Sequence, residues 1–349
     1  MTSGTPHVDG PAEEAGRETA PAPPWRVLVT ARSALEAGRA AIQTLEAAGV
    51  EVVGAPVDRP LGEGDLAALL GEVDGVLAGV DRFTARVLAA GRPRLRVVAR
   101  NGAGVDTIDV EAATRLGIAV TNAPGANTEA VADLVLGFIV ALMRHLVAAD
   151  RMVRAGGWTR ALGQELPGKV LGLVGFGRIG QAVARRGRGF GMAVLADDPV
   201  WDGDAARALQ VERVALDAML ERVDVLSLHA PLTAQTRHLI GTAQLRRMRP
   251  QAYLINTARG GLVDEAALAR ALHEGWIAGA ACDVFETEPP TGSPLLTAPR
   301  CLLTPHIGAH TQEAAARGAE VAAANLLAVL SGRRPPNVVN PEVLESDSR

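Results

Sequence analysis

Three short segments of the chain hold the side chains best suited to chemistry. Asn256-Thr-Ala-Arg-Gly-Gly261 offers the guanidinium of Arg259, a planar donor fork that matches a carboxylate and the carbonyl oxygen beside it. Asp283-Val-Phe-Glu-Thr-Glu288-Pro-Pro offers carboxylates, and Leu303-Thr-Pro-His306-Ile-Gly-Ala309 offers an imidazole. Arginine, carboxylate and histidine are what the interconversion of a 2-hydroxy acid and a 2-oxo acid requires. A hydride leaves or reaches C2 while a proton leaves or reaches the C2 oxygen, and imidazole as a residue type titrates near neutral pH. A carboxylate on the other ring nitrogen would fix the tautomer and favour the imidazolium. Taken singly, each residue has an ordinary explanation: a loop histidine, a solvated glutamate, an arginine capping a turn. The elements that carry them decide between the two.

Each segment sits at the end of a run that reads as a strand: Ala252 to Asn256, Gly279 to Asp283 and Cys301 to Leu303. Similar runs at Val27 to Thr30, Val50 to Val53, Gly75 to Ala78, Leu95 to Ala99, Val170 to Val174, Met192 to Ala196 and Val223 to Leu228 alternate with Ala/Leu-rich amphipathic segments. Strands alternating with helices imply right-handed crossovers and parallel sheets. The expected class is α/β with two doubly wound, Rossmann-like parallel-sheet domains, and in such sheets ligands bind at the carboxyl edge of the strands. Ser33, with Glu36 three residues on, reads as a capping box that opens a helix running to Gly49. Glu313 to Leu330, the last helical segment, has no strand after it and is expected to pack back on the first domain, making that domain discontinuous.

Gly175-Phe-Gly177-Arg-Ile-Gly180 follows one strand, opens a helix and is answered by Asp198 at the end of the next strand. Gly175 permits a tight turn, Gly177 lets backbone N–H groups approach a pyrophosphate, and Gly180 lets helix and strand pack closely. The helix N-terminus adds partial positive charge for the phosphates. Asp198, or the adjacent Asp197, can accept hydrogen bonds from a ribose diol and would repel a 2′-phosphate, so NAD is the expected cofactor.

The bulk properties narrow the classes. A chain of 349 residues implies about two domains. A formal charge of -4 provides no basic patch for nucleic acid. The two cysteines, Cys282 and Cys301, form neither a disulfide framework nor a metal-ligand spacing; no metal is expected, and the usage fits a reducing cytoplasm. Residues 1–24, polar and rich in Pro, Ala and Glu, read as a disordered tail. The apolar stretch Ala130 to Leu146 is interrupted by Asp133 and ends in Arg144-His145, which fits a buried helix better than a membrane span.

With these motifs in order, the sequence resembles the D-isomer-specific 2-hydroxyacid dehydrogenases, most closely their phosphoglycerate dehydrogenase-like branch. The resemblance covers residues 25–341 and rests on Arg100 to Asp109, Thr121 to Asn127, Gly175 to Gly180, His229 to Thr233, Asn256 to Gly261, Asp283 to Pro290 and Thr304 to Ala309. It implies that Arg259, Glu288 and His306 form the catalytic set, with His306 as acid/base. It implies cofactor contacts at Ala103, Arg178, Ile179, Asp198, Ala230, Thr257, Ala258, Asp283, His306, Gly308 and Ala309. The loop Asn101, Gly102, Ala103 and Gly104 is implied to receive the substrate carboxylate, together with Arg259. It further implies a NAD-binding domain of residues 123–309 inserted into a substrate domain of residues 25–122 and 310–341, and a homodimer built through the long helix after Asn127.

The expected reaction interconverts a small D-2-hydroxy acid and its 2-oxo acid, first of all 3-phosphoglycerate and 3-phosphohydroxypyruvate. One departure weakens the phosphate assignment: where biosynthetic phosphoglycerate dehydrogenases of this kind often carry an arginine after the third strand, this chain has Gly79-Val80-Asp81, with Arg82 one step later. Arg32, Arg82 and Arg160 are the candidate anion contacts. Hydroxypyruvate or glyoxylate would satisfy the same three catalytic residues. A NAD-binding corepressor-like scaffold is the alternative from another class, and turnover distinguishes it. Formate dehydrogenases of the superfamily replace the carboxylate partner by an amide, which Glu288 argues against.

Overall fold

A computed structural model describes residues 25–55 and 61–346; the expected tail of residues 1–24 lies outside the described residues. Among the described residues, twelve strands fall into two all-parallel sheets. The first five are β1 (Arg26–Val29), β2 (Glu51–Gly54), β3 (Gly75–Ala78), β4 (Val97–Arg100) and β5 (Ala119–Thr121), in the order β2-β1-β3-β4-β5. The other seven are β6 (Val170–Val174), β7 (Ala193–Asp197), β8 (Val211–Arg213), β9 (Val225–Leu228), β10 (Tyr253–Asn256), β11 (Gly279–Cys282) and β12 (Cys301–Leu303), in the order β12-β11-β10-β9-β6-β7-β8. The two doubly wound sheets expected from the alternation are present. Every residue of β3, β9, β10 and β11 is buried, as continuous apolar runs require when helices cover both faces of a parallel sheet. The strands β5 and β8, three residues each at sheet edges, are too short to show a pattern, and the sequence does not announce them.

Helix Gln312–Leu330 lies on the five-stranded sheet, where Ala319, Ala322, Ala323 and Leu326 share a core with Val27, Val29, Leu77 and Val97. That packing corrects one local expectation. The helix read from Ser33 to Gly49 is broken into Arg32–Ala37 and Arg39–Ala47, because Gly38 passes so close to Ala319 that a Cβ there would lie 2.6 Å from the Ala319 Cβ. Ser33 is not a cap either. Ala31 takes the cap position without a side-chain bond, and the Ser33 hydroxyl accepts a hydrogen bond from Asn101 Nδ2 at 3.2 Å. Tertiary contact thus overrides both the propensity and the capping signal.

The apolar stretch after Asn127 forms helix Thr128–Met143, which ends at Arg144; His145, in the left-handed region at φ 55°, precedes a second helix, Leu146–Arg154. The first packs Val135, Ile139 and Met143 against Leu171, Leu173 and Val183 of the seven-stranded unit. Among the described residues no single helix is long and apolar enough to cross a membrane, and this pair bends by 60° at its break.

Candidate active site

In the seven-stranded sheet the chain order reverses between β6 and β9, and a parallel sheet opens a crevice at such a reversal. The glycine turn stands there. Gly175 follows β6 at φ +101°, and a Cβ on it would lie 2.7 Å from the His229 carbonyl carbon and 2.8 Å from the Ala230 nitrogen, just beyond β9. Gly180 is packed against the Gly175 carbonyl, while Gly177 faces open space, as a turn that must admit a phosphate requires. Helix Arg178–Gly189 starts from Gly177, with Arg178 exposed and Ile179 half-buried at the mouth. The structure separates the two candidate ribose ligands. Asp198 lies beside the turn, its Oδ2 accepting from the Phe176 N–H at 2.6 Å, whereas the Asp197 carboxylate accepts from the Leu216 N–H at 2.8 Å on another loop.

Under the turn, the imidazole of His229 is largely enclosed; burial pushes its pKa down to about 4, and its Nε2 meets the Ser227 hydroxyl at 3.0 Å. Ala230 is half-buried next to it. After β10, Asn256 ties the loop by accepting from the Ala258 N–H and donating to the Arg259 carbonyl. The Thr257 hydroxyl is buried and has no protein partner among the described residues. An open glycine turn, an acidic group beside it and an orphaned hydroxyl on the next loop fit a dinucleotide.

The acid/base pair is built by the ends of β11 and β12. His306, held at φ 53°, donates its backbone N–H to the Asp283 carbonyl at 2.8 Å. Both Asp283 carboxylate oxygens are committed to the same turn: Oδ1 accepts from the Thr304 hydroxyl and the Ile307 N–H, Oδ2 from the Gly308 N–H. Ala309 is exposed at the end of that turn. His306 Nδ1 meets Glu288 Oε2 at 2.8 Å, and Glu288 Oε1 accepts from the Phe285 N–H at 3.1 Å. Partial burial pushes the Glu288 carboxyl up, but the His306 hydrogen bond and charge, the Phe285 N–H and the Arg259 charge outweigh it and hold it below the usual carboxylate range. Among the described residues His306 Nε2 has no partner.

Facing this edge is the loop after β4. The Ala103 carbonyl accepts from Asn122 Nδ2 and the Gly102 carbonyl from the Ala123 N–H, which fix the loop from behind. The Ala103 and Gly104 N–H groups have no protein acceptor among the described residues. Gly104 lies directly against Arg259 Nη2, leaving no room for a Cβ. Behind the loop sits Arg100, whose Nη1 donates to the Asn101 carbonyl at 2.9 Å; burial and then the nearby Arg259 charge pull its pKa down. The edge is therefore cationic and rich in free N–H groups, a setting for a carboxylate. Arg100 and Asp106, the latter paired with Arg259, were not singled out from sequence; both lie in the Arg100 to Asp109 motif, whose loop glycines drew attention to its backbone.

Residues 136–308 match the family described as D-isomer specific 2-hydroxyacid dehydrogenase, NAD binding domain. A glyoxylate reductase of Korarchaeum cryptofilum is 48% identical over 272 residues, 76% of this chain and 82% of its own. The chain belongs to the D-isomer-specific 2-hydroxyacid dehydrogenase family. It is a NAD-dependent oxidoreductase acting on a CH–OH group. A solved structure, the TT0316 protein of Thermus thermophilus, superposes with a TM-score of 0.81 at 41% identity over 90% of this chain and 99% of its own. Within the family, the D-3-phosphoglycerate dehydrogenase of Methanocaldococcus jannaschii is 46% identical over 250 residues, but these span 48% of its length. Phosphoglycerate, the first expectation from sequence, is thus not favoured over glyoxylate.

Proposed function

We propose that this dehydrogenase reduces glyoxylate or a similarly small 2-oxo acid, with Arg259, Glu288 and His306 as its catalytic residues. The observation that carries it is the convergence of the Glu288–His306 pair with Arg259 and the free N–H groups of Ala103 and Gly104. The acid's carboxylate is held by Arg259 and the Asn101 to Gly104 loop. His306 Nε2 gives a proton to the C2 oxygen, and Glu288 orients the ring and stabilises the imidazolium. NADH, when bound, supplies the hydride. Gly175, Gly177 and Gly180, with Arg178 and Ile179, would receive its pyrophosphate, Asp198 its ribose, and Ala103, Ala230, Thr257, Ala258, Gly308 and Ala309 would line its remaining length. Asp283 acts through the His306 turn, on which both its oxygens are engaged.

Small size is supported by the surroundings of the candidate phosphate ligands. Asp81 is buried and accepts from the Leu61 N–H at 2.8 Å, so the stretch directly after β3 presents a structural carboxylate ahead of Arg82. Arg32 pairs with Glu36, and Arg82 and Arg160 are exposed. We assign residues 25–122 and 310–341 to acid binding and residues 123–309 to NAD, since helix Gln312–Leu330 packs on the five-stranded sheet. A homodimer through the long helix and its continuation is supported by helix Leu146–Arg154, which buries no residue, and by Trp158 and Leu162, 83% and 97% exposed.

The test is NADH oxidation, followed by absorbance, with glyoxylate, hydroxypyruvate, pyruvate and 3-phosphohydroxypyruvate. We expect the highest kcat/KM with glyoxylate or hydroxypyruvate. A phosphohydroxypyruvate value above both would overturn the substrate assignment.

A further inference from the structure

Arg259 reaches out of its own sheet. It follows β10 in the seven-stranded unit, yet its Nε and Nη2 both donate to Oδ2 of Asp106, at 2.9 and 2.6 Å, in the loop after β4 of the other unit. Nη1 donates to the Ala258 carbonyl at 2.7 Å. A guanidinium carries five N–H bonds, so two remain for a substrate. The same guanidinium is pressed against Gly104, and it shares its surroundings with the half-buried cation Arg100. Two like charges this near repel, and the Asp106 carboxylate is the counter-charge that interacts with both. Without it, Arg259 has reason to swing away from Arg100 and out of the cleft.

We propose that Asp106 is a positioning residue for the reaction, anchoring Arg259 across the cleft in the orientation that meets the substrate carboxylate. The inference rests on the reading that Arg259 holds the acid, and it adds a residue of the opposite unit to the site. Because Asp106 belongs to the five-stranded unit and Arg259 to the seven-stranded one, the anchor spans the cleft between them. An ion pair with its aspartate side chain 55% exposed adds little to stability, so its removal should leave the fold intact.

The experiment compares Asp106→Ala in the parent chain and in the Arg259→Ala chain, with glyoxylate as substrate and raised enzyme concentration for the slow variants. Arg259→Ala alone must lose about a hundredfold or more in kcat/KM; if it does not, the assignment of Arg259 itself fails. Given that loss, Asp106→Ala is expected to cost about tenfold or more in kcat/KM in the parent and less than about twofold in the Arg259→Ala chain, with NADH affinity unchanged. Equal losses in the two chains would show that Asp106 acts independently of Arg259, and no loss in the parent would show that it does not act; either overturns the proposal. If Asp106→Ala lowers NADH affinity, the same criterion is applied to Asp106→Asn, which keeps the shape and an acceptor oxygen but removes the charge.

Discussion

The two walls of the cleft are built on different principles. On the side proposed for the cofactor, the glycine turn is a matter of backbone: a Cβ on Gly175 would lie 2.7 Å from the His229 carbonyl carbon after β9, and the His229 side chain fills the space beneath. On the side proposed for the acid, beside the free N–H groups of the loop after β4, the working groups are half-exposed side chains held by a few bonds: His306 on Glu288, Arg259 on Asp106 and the Ala258 carbonyl. A wall made of backbone fails through the fold when altered. A wall made of exposed side chains fails through chemistry while the fold stands.

The largest expected effect breaks the acid side alone. His306→Ala removes the proposed proton carrier and should lower kcat by about a thousandfold, since general acid–base catalysis is worth roughly a hundred- to ten-thousandfold. NADH affinity and the melting temperature should stay at the parent's values. A variant that keeps its kcat would remove His306 from the mechanism.

The next breaks the other wall. Gly175→Ala adds a Cβ against backbone atoms at φ +101°, and strain plus clash should cost about 3 kcal/mol of stability together with most of the NADH affinity. Chemical denaturation and NADH titration read both. An alanine variant with parental stability and affinity would mean that the backbone wall yields as easily as the side-chain wall, and the contrast would collapse.

The smallest effect sharpens the contrast through pH. The neutral form of His229 is favoured in the fold because burial lowers its pKa from 6.5 to about 4. Above pH 6.5 the residue is neutral whether folded or not and adds no pH dependence. Between there and about pH 4 the unfolded chain binds a proton that the folded one refuses, so stability falls as pH falls. At pH 5 the loss is about 2 kcal/mol. Denaturation midpoints of the parent and of His229→Asn at pH 7 and pH 5 should differ by that extra slope, and parallel curves would place the acid sensitivity elsewhere.

How much was legible in advance follows the same division. The strands β3 and β6 were readable to the residue, because a strand covered on both faces is apolar throughout; β12, half-buried at the sheet edge, was readable too as a short apolar run. The residues of the glycine turn, and a histidine and carboxylates at strand ends, were readable because spacing and residue type there obey local rules; Glu288 as the carboxylate that meets His306 was implied only by the family resemblance. The break at Gly38 was not readable, since it answers to Ala319, nearly three hundred residues away in the chain. Nor was the partner of Ser33, which turned out to be Asn101.

By itself the sequence determined two parallel-sheet units, a dinucleotide turn and a set of groups fit for hydride and proton exchange at an acid. Those follow from periodicity, glycine placement and residue chemistry, all local along the chain. Tertiary structure alone decided which acidic residue lies beside the glycine turn, Asp198 and not Asp197, and which residue meets Arg259 from the other unit. It also decided that Asp283 serves the histidine's turn. Hydrogen bonds between residues as far apart as Asp106 and Arg259 depend on how two separately formed sheets meet, and no local pattern in the chain encodes that distance.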